Sequence, residues 1–150
     1  MVVVWCAARR KSRFGWMPAE NRVRARRVVI ADDHPTILRV VRQILDAEPR
    51  IEVVGEATNG LEAVGLVETL KPDVVVLNVV MPRMSGFEAA RQIRETNPAV
   101  AVVILSTHTD EQFLKRAKEL GAKGYVHKNK AAEQLVRAVD AVAEGHEYFF

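Results

Sequence analysis

The stretch Val74-Val75-Val76-Leu77-Asn78-Val79-Val80-Met81-Pro82 decides how this chain folds. Its first four residues are all apolar and show no in/out alternation, as expected of a strand buried on both faces of a parallel sheet. Runs of similar apolar character recur at Val28–Ala31, Ile51–Ala57, Val100–Ser106 and Gly124–His127. Between the strands lie segments of helical period: Thr36–Ala47, Gly60–Leu70, Ser85–Glu95, Asp110–Leu120 and Ala131–Glu144. Ile37, Val40, Val41, Ile44 and Leu45 form an apolar stripe on the first, and Leu135, Val136, Val139 and Val142 on the last. Asn59-Gly60, Lys71-Pro72, Asn97-Pro98 and Gly121 mark boundaries. Alternating strands and helices predict an α/β fold with a doubly wound, five-stranded parallel sheet and helices on both faces.

In such sheets, ligands bind outside the carboxyl ends of the strands. The polar residues at those ends are Asp32, Asp33, Asn78, Ser106 and Lys128. Paired carboxylates attract a hard cation such as Mg²⁺; a single Asp there would serve equally as a helix N-cap, with Pro35 in the first turn. The Ser106 hydroxyl suits a phosphoryl oxygen or a plain turn, and the Lys128 ammonium suits the two aspartates or a phosphoryl group. Asn78 carries no formal charge and cannot form an acyl phosphate. His34 reads as an exposed first-turn residue and not a metal ligand, while His108, His127 and His146 lack ligand spacing. Met81 and Met84 read as packing.

The chain has 150 residues, 49% hydrophobic and 27% charged, which suits one soluble domain with a real core. Of its 22 Lys/Arg and 19 Asp/Glu, residues 1–27 hold eight basic and one acidic, leaving 14 and 18 in residues 28–150. The basic character thus belongs to the first 27 residues, which also carry Trp5 and Trp16 and show no sustained period. They read as a disordered extension ahead of a domain at 28–150; a nucleic-acid or partner-binding arm is the sharper alternative. The lone Cys6 excludes an internal disulfide framework. No run approaches the roughly 20 apolar residues of a membrane span, and the charge order at the start is wrong for a secretory signal, so a cytoplasmic protein is expected.

Three phrases, Ala31-Asp32-Asp33-His34-Pro35, Glu56-Ala57-Thr58-Asn59-Gly60 and Met81-Pro82-Arg83-Met84-Ser85-Gly86, together with the strand-end set, resemble the receiver domain of bacterial two-component response regulators, of the NarL/FixJ type. The resemblance implies a flavodoxin-like sheet of order 2-1-3-4-5. It implies an aspartate after the third strand that takes a phosphoryl group from a sensor histidine kinase, with Mg²⁺ bound. Asp32 and Asp33 resemble the metal-binding pair, and the Val80 carbonyl would complete the protein ligands. Ser106 resembles the switch hydroxyl, Thr107 flanks the pocket, Tyr125 resembles the rotameric aromatic, and Lys128 resembles the family lysine. Asn129 stands where many receivers have proline.

Asn78 occupies the phosphoacceptor position. The amide removes one negative charge from the cluster and is expected to weaken Mg²⁺ binding; the branched Val79 behind it disfavours deamidation. The resemblance implies a signalling module and not an enzyme, with a dimer or effector surface along Asp110–Glu144 and no direct nucleic-acid contact. An aspartyl phosphohydrolase would lack its nucleophile at Asn78, and a flavin carrier would meet repulsion between its phosphate and Asp32-Asp33. Family members often continue into a LuxR-type helix-turn-helix domain. The apolar Tyr148-Phe149-Phe150 fits a fragment of such a regulator, with Asn78 then an introduced substitution.

Overall fold

A computed structural model describes the backbone of Val3–Val4 and the residues Arg24–His108 and Asp110–Phe149. Trp5, Cys6, Trp16 and most of the basic extension lie outside the described residues. The elements in chain order are β1 (Val3–Val4), β2 (Arg26–Ala31), α1 (Pro35–Asp46), β3 (Ile51–Ala57), α2 (Gly60–Leu70), β4 (Val74–Asn78), α3 (Gly86–Thr96), β5 (Ala101–Ser106), α4 (Glu111–Glu119), β6 (Gly124–His127), α5 (Ala131–Ala143) and β7 (Tyr148–Phe149).

The five expected strands are all present, and their order β3-β2-β4-β5-β6 is the expected 2-1-3-4-5. The sheet nevertheless has seven strands, not five. Two-residue strands line both edges: β1 runs antiparallel to β3, with Val3 opposite Glu56, and β7 runs parallel to β6, with Tyr148 opposite Gly124. An edge strand presents a row of unpaired N–H and C=O groups; here even a two-residue segment supplies partners for some of them. Such short segments carry no periodicity, so the sequence reading placed them in the extension and the apolar ending.

Along the inner strands, successive side chains feed alternate faces of the sheet. Val28, Ile30, Val74, Val76, Val103 and Leu105 join α1 and α5 in one core layer. Val29, Ala31, Val75, Leu77, Val102 and Ile104 join α2, α3 and α4 in the other. Both layers are apolar, which is why the strands read as unbroken Val/Ile/Leu runs. On α1 the buried line is Leu38, Val41 and Leu45. The expected stripe is corrected at Val40, which is 44% exposed, because Leu38, one turn before Val41 and two before Leu45, takes the inward track.

The strand β2 begins at Arg26, two residues before the expected boundary. Arg26 is held by Asp140 and Glu144, each at 2.9 Å, and the Arg27 N–H donates to Asp73. The starts of α2, α3 and α4 are set by side-chain caps: Asn59 accepts from Glu62 N–H, Ser85 from Glu88 N–H and Asp110 from Phe113 N–H. Ser85 and Asp110 are therefore caps and not helical residues. On α2, Glu62 reaches back to accept the N–H and hydroxyl of Thr58, the residue before the cap.

The loop between β4 and α3 is pinned at its end. The Gly86 N–H donates to Val79 O at 2.8 Å, and a Cβ at Gly86 would overlap the backbone carbonyl of Asn78. Gly86→Ala is therefore expected to cost about 2–3 kcal/mol through overpacking against backbone. Urea unfolding of the variant beside the native chain measures it.

Candidate functional site

Strand register builds the site. Ala31 pairs with Leu77, Asn78 with Leu105, and Ser106 with His127. Asp32, Asn78, Ser106 and Lys128 therefore leave the sheet along one rim. There Asp33, His34, Asn78, Val79, Val80, Ser106, Thr107, His108 and Lys128 line a cavity of about 200 Å³.

Asp32 lies beneath this cavity, buried, with its Oδ2 2.9 Å from Lys128 Nζ. Its Oδ1 accepts the His34 backbone N–H at 2.9 Å. Helix α1 is capped at His34 with no side-chain cap bond, so neither aspartate caps that helix. His34 Nδ1 stands 3.2 Å from Asp32 Oδ1 and 3.2 Å from Asp33 Oδ1, which calls for a proton on Nδ1. His34 is exposed, as expected, but its ring also bridges the acidic pair, a role visible in sequence only as adjacency. Asp32, Asp33 and His34 form a group of metal-ligating type.

Asn78 is the last residue of β4 and is 7% exposed. Its Nδ2 donates to Val80 O at 2.8 Å and to Asp33 Oδ1 at 3.3 Å. The reverse amide orientation would set Oδ1 against two acceptors, so chemistry fixes which way the amide faces. The four residues expected around a cation, Asp32, Asp33, Asn78 and Val80, are thus neighbours, with the amide nitrogen against two of the oxygens.

The loop after β5 forms a second network. Ser106 Oγ accepts the His108 N–H at 3.0 Å and lies 3.3 Å from His108 Nδ1. The His108 ring stacks on Phe113, centroids 4.1 Å apart. Tyr125 is fully buried and its hydroxyl donates to His108 O at 2.8 Å, so its ring lies inward and not on the surface. His127 Nδ1 accepts the Asn129 N–H, leaving Nε2–H to donate to Thr107 O at 3.0 Å. His108 and His127 hold this loop through these contacts. No ligand spacing would reveal them: His108 meets the Ser106 hydroxyl, the Phe113 ring and, through its carbonyl, the Tyr125 hydroxyl, and His127 meets the Thr107 carbonyl 20 residues away.

Burial pushes the Tyr125 phenol above its ordinary value of 10.0; the Ser106 hydroxyl opposes this and the Asp110 carboxylate adds to it. With the folded value raised, stability is complete below the ordinary phenol range and falls as pH rises above it, because the unfolded chain releases its proton first. Tyr125→Phe is expected to cost about 1 kcal/mol at neutral pH and to lose that alkaline decline, read from urea midpoints up to about pH 11. Lys128→Met should cost about 3 kcal/mol by stranding the buried Asp32 carboxylate. Adding Asp32→Asn should restore part of it in a double-mutant cycle.

A family model for the response regulator receiver domain matches residues 28–140. The chain is 40% identical to the transcriptional regulatory protein DegU of Brevibacillus brevis over 86% of its own length and 53% of DegU. It is 36% identical to the nitrate/nitrite response regulator NarL of Escherichia coli strain K12, over 79% of this chain and 55% of that protein. Among solved structures, the signal receiver domain of NarL from Mycobacterium tuberculosis superposes with a TM-score of 0.80 at 32% identity, covering 83% of this chain and all of that one. The chain thus spans about half the length of the curated relatives it matches. It belongs to the response regulator receiver family, as a two-component receiver domain of the NarL/LuxR type.

Proposed function

We propose that this domain is the input module of a two-component transcription regulator and that, as written, it takes no phosphate. The observation that carries this reading is Asn78 itself. It stands at the end of β4 in the cavity with Asp33, Ser106 and Lys128, where the family resemblance places the acceptor aspartate. A carboxamide is a poor nucleophile and forms no acyl phosphate, so the chemistry stops at that atom. On this reading Asp32, Asp33 and the Val80 carbonyl are the cation ligands. Asn78 weakens Mg²⁺ binding because its amide already occupies Asp33 and Val80.

Ser106, Thr107 and Tyr125 act as the switch, and Lys128 as the cationic partner of the acidic pair. In support, Ser106 and Tyr125 both bind His108, so the loop after β5 joins the ends of two strands. The partner is a sensor histidine kinase or another signalling protein, and the module works by interaction and not as an enzyme. Its output surface is the Asp110–Glu144 region, where copies of the chain would pair. Part of that surface is the β6 edge, which β7 covers. No described helix is long and apolar enough to cross a membrane, which accords with a cytoplasmic regulator. DegU's printed name is that of a transcriptional regulatory protein; gene regulation here would follow from a DNA-binding partner domain, the receiver itself touching no nucleic acid.

A second reading is favoured by the intact remainder of the site: Asp32, Asp33, Ser106 and Lys128 share one rim, as a working receiver requires. Asn78 would then be an introduced change in an otherwise competent regulator. Phos-tag electrophoresis after incubation with acetyl phosphate tests both. The native chain is expected to run unshifted, and Asn78→Asp to show a retarded band if the rest of the site is competent. Retardation of the native chain, with its mass showing Asn78 intact, overturns the assignment.

A further inference from the structure

We infer that the Asn78 side-chain amide replaces the divalent cation of this pocket, so that the rim holds its shape without Mg²⁺. The inference deepens the reading of Asn78 given above but rests on its hydrogen bonds and not on phosphate transfer. An acidic rim of this kind has an electrostatic problem: carboxylate and carbonyl oxygens converge, and only positive charge or N–H donors make that convergence favourable. Here nitrogen meets oxygen at each point described. Asp32 Oδ2 faces the Lys128 ammonium at 2.9 Å, and Asp32 Oδ1 receives the His34 N–H at 2.9 Å. Asp33 Oδ1 faces both His34 Nδ1 at 3.2 Å and Asn78 Nδ2 at 3.3 Å. Val80 O receives Asn78 Nδ2 at 2.8 Å.

The two hydrogens of one planar NH₂ group thus bridge a carboxylate and a carbonyl, two of the three oxygens that would otherwise share a cation. The donor itself is buried, Asn78 being 7% exposed, while Asp33 and Val80 at the two ends of the bridge reach the solvent. Mg²⁺ requires close, near-octahedral oxygen ligation at about 2.0–2.1 Å. To bind, it must break both amide bonds and push aside a donor that offers it nothing in that orientation. The pocket as folded therefore does not fit the cation. An aspartate at position 78 would reverse this, adding acceptors against Asp33 and Val80 and leaving the rim dependent on metal.

Thermal unfolding of the full chain in EDTA and in Mg²⁺ tests the inference. The native midpoint is expected to move by less than about 1 °C, within the noise of a small ΔΔG. Asn78→Asp should melt lower than the native chain in EDTA and rise by roughly 5 °C or more at Mg²⁺ about a hundredfold above its Kd. Should the Asp variant fail to fold without metal, Asn78→Ala, which removes both donors, should also gain a Mg²⁺-dependent rise that the native chain lacks. The Asn78 side-chain NH₂ signals in a ¹⁵N correlation spectrum should not respond to Mg²⁺. A native midpoint that rises with Mg²⁺ as much as the Asp variant overturns the inference, as does an Ala variant indifferent to Mg²⁺. A native chain that binds Mg²⁺ yet takes no phosphate sinks this inference alone; one that ignores Mg²⁺ yet takes phosphate sinks the functional reading alone.

Discussion

The buried pair of Lys128 with Asp32, 2.9 Å apart, ties the end of β6 to the end of β2 across the breadth of the site. A lone carboxylate this deeply buried would carry a large desolvation penalty, which the Lys128 ammonium and the His34 N–H offset. The pair also sets the stage for everything above it. With Asp32 committed to Lys128 and to the His34 backbone, Asp33 is the acidic group left to face the cavity. Asn78 then meets Asp33 and not Asp32.

Parallel register makes this possible. Strands of one direction, each followed by a helix crossing back, deliver their carboxyl ends to one rim, so residues far apart in the chain meet without any local motif. The same geometry separates the two histidine-bearing regions. His34 sits over the acidic pair at the start of α1, whereas His108 belongs to the loop after β5, where it binds Ser106 and Tyr125 and stacks on Phe113. The rim therefore has an electrostatic half and a loop-holding half, meeting at the cavity that Asn78 and Ser106 both line.

Much of this was legible beforehand. The five inner strands and the polar residue at each strand end follow from continuous apolar runs, and the strand order follows from the family resemblance that the short phrases carry. Strands β3 and β6 and helix α2 matched to the residue, because Ala57, Asn59-Gly60 and Gly124 stand at sharp changes of hydropathy or turn chemistry. Periodicity puts Ser85 and Asp110 one position inside their helices, because capping is a side-chain bond that spacing does not reveal. Val40 was placed inside because a wide apolar stripe leaves two neighbouring tracks open, and packing against the sheet selected Leu38. The edge strands β1 and β7 went unseen, since two residues have no period and gain their partners only from an edge that the rest of the fold creates.

The sequence by itself determined which segments are buried on both faces and which side chains stand at their ends, because hydrophobic patterning is a local property of the chain. It also determined that position 78 carries an amide. Tertiary structure alone decided what that amide does: its partner Asp33 lies 45 residues away, brought within 3.3 Å by the register of β2 against β4. A side chain's donors and acceptors are written in its formula, but its partners depend on which oxygens the folded sheet sets in front of it.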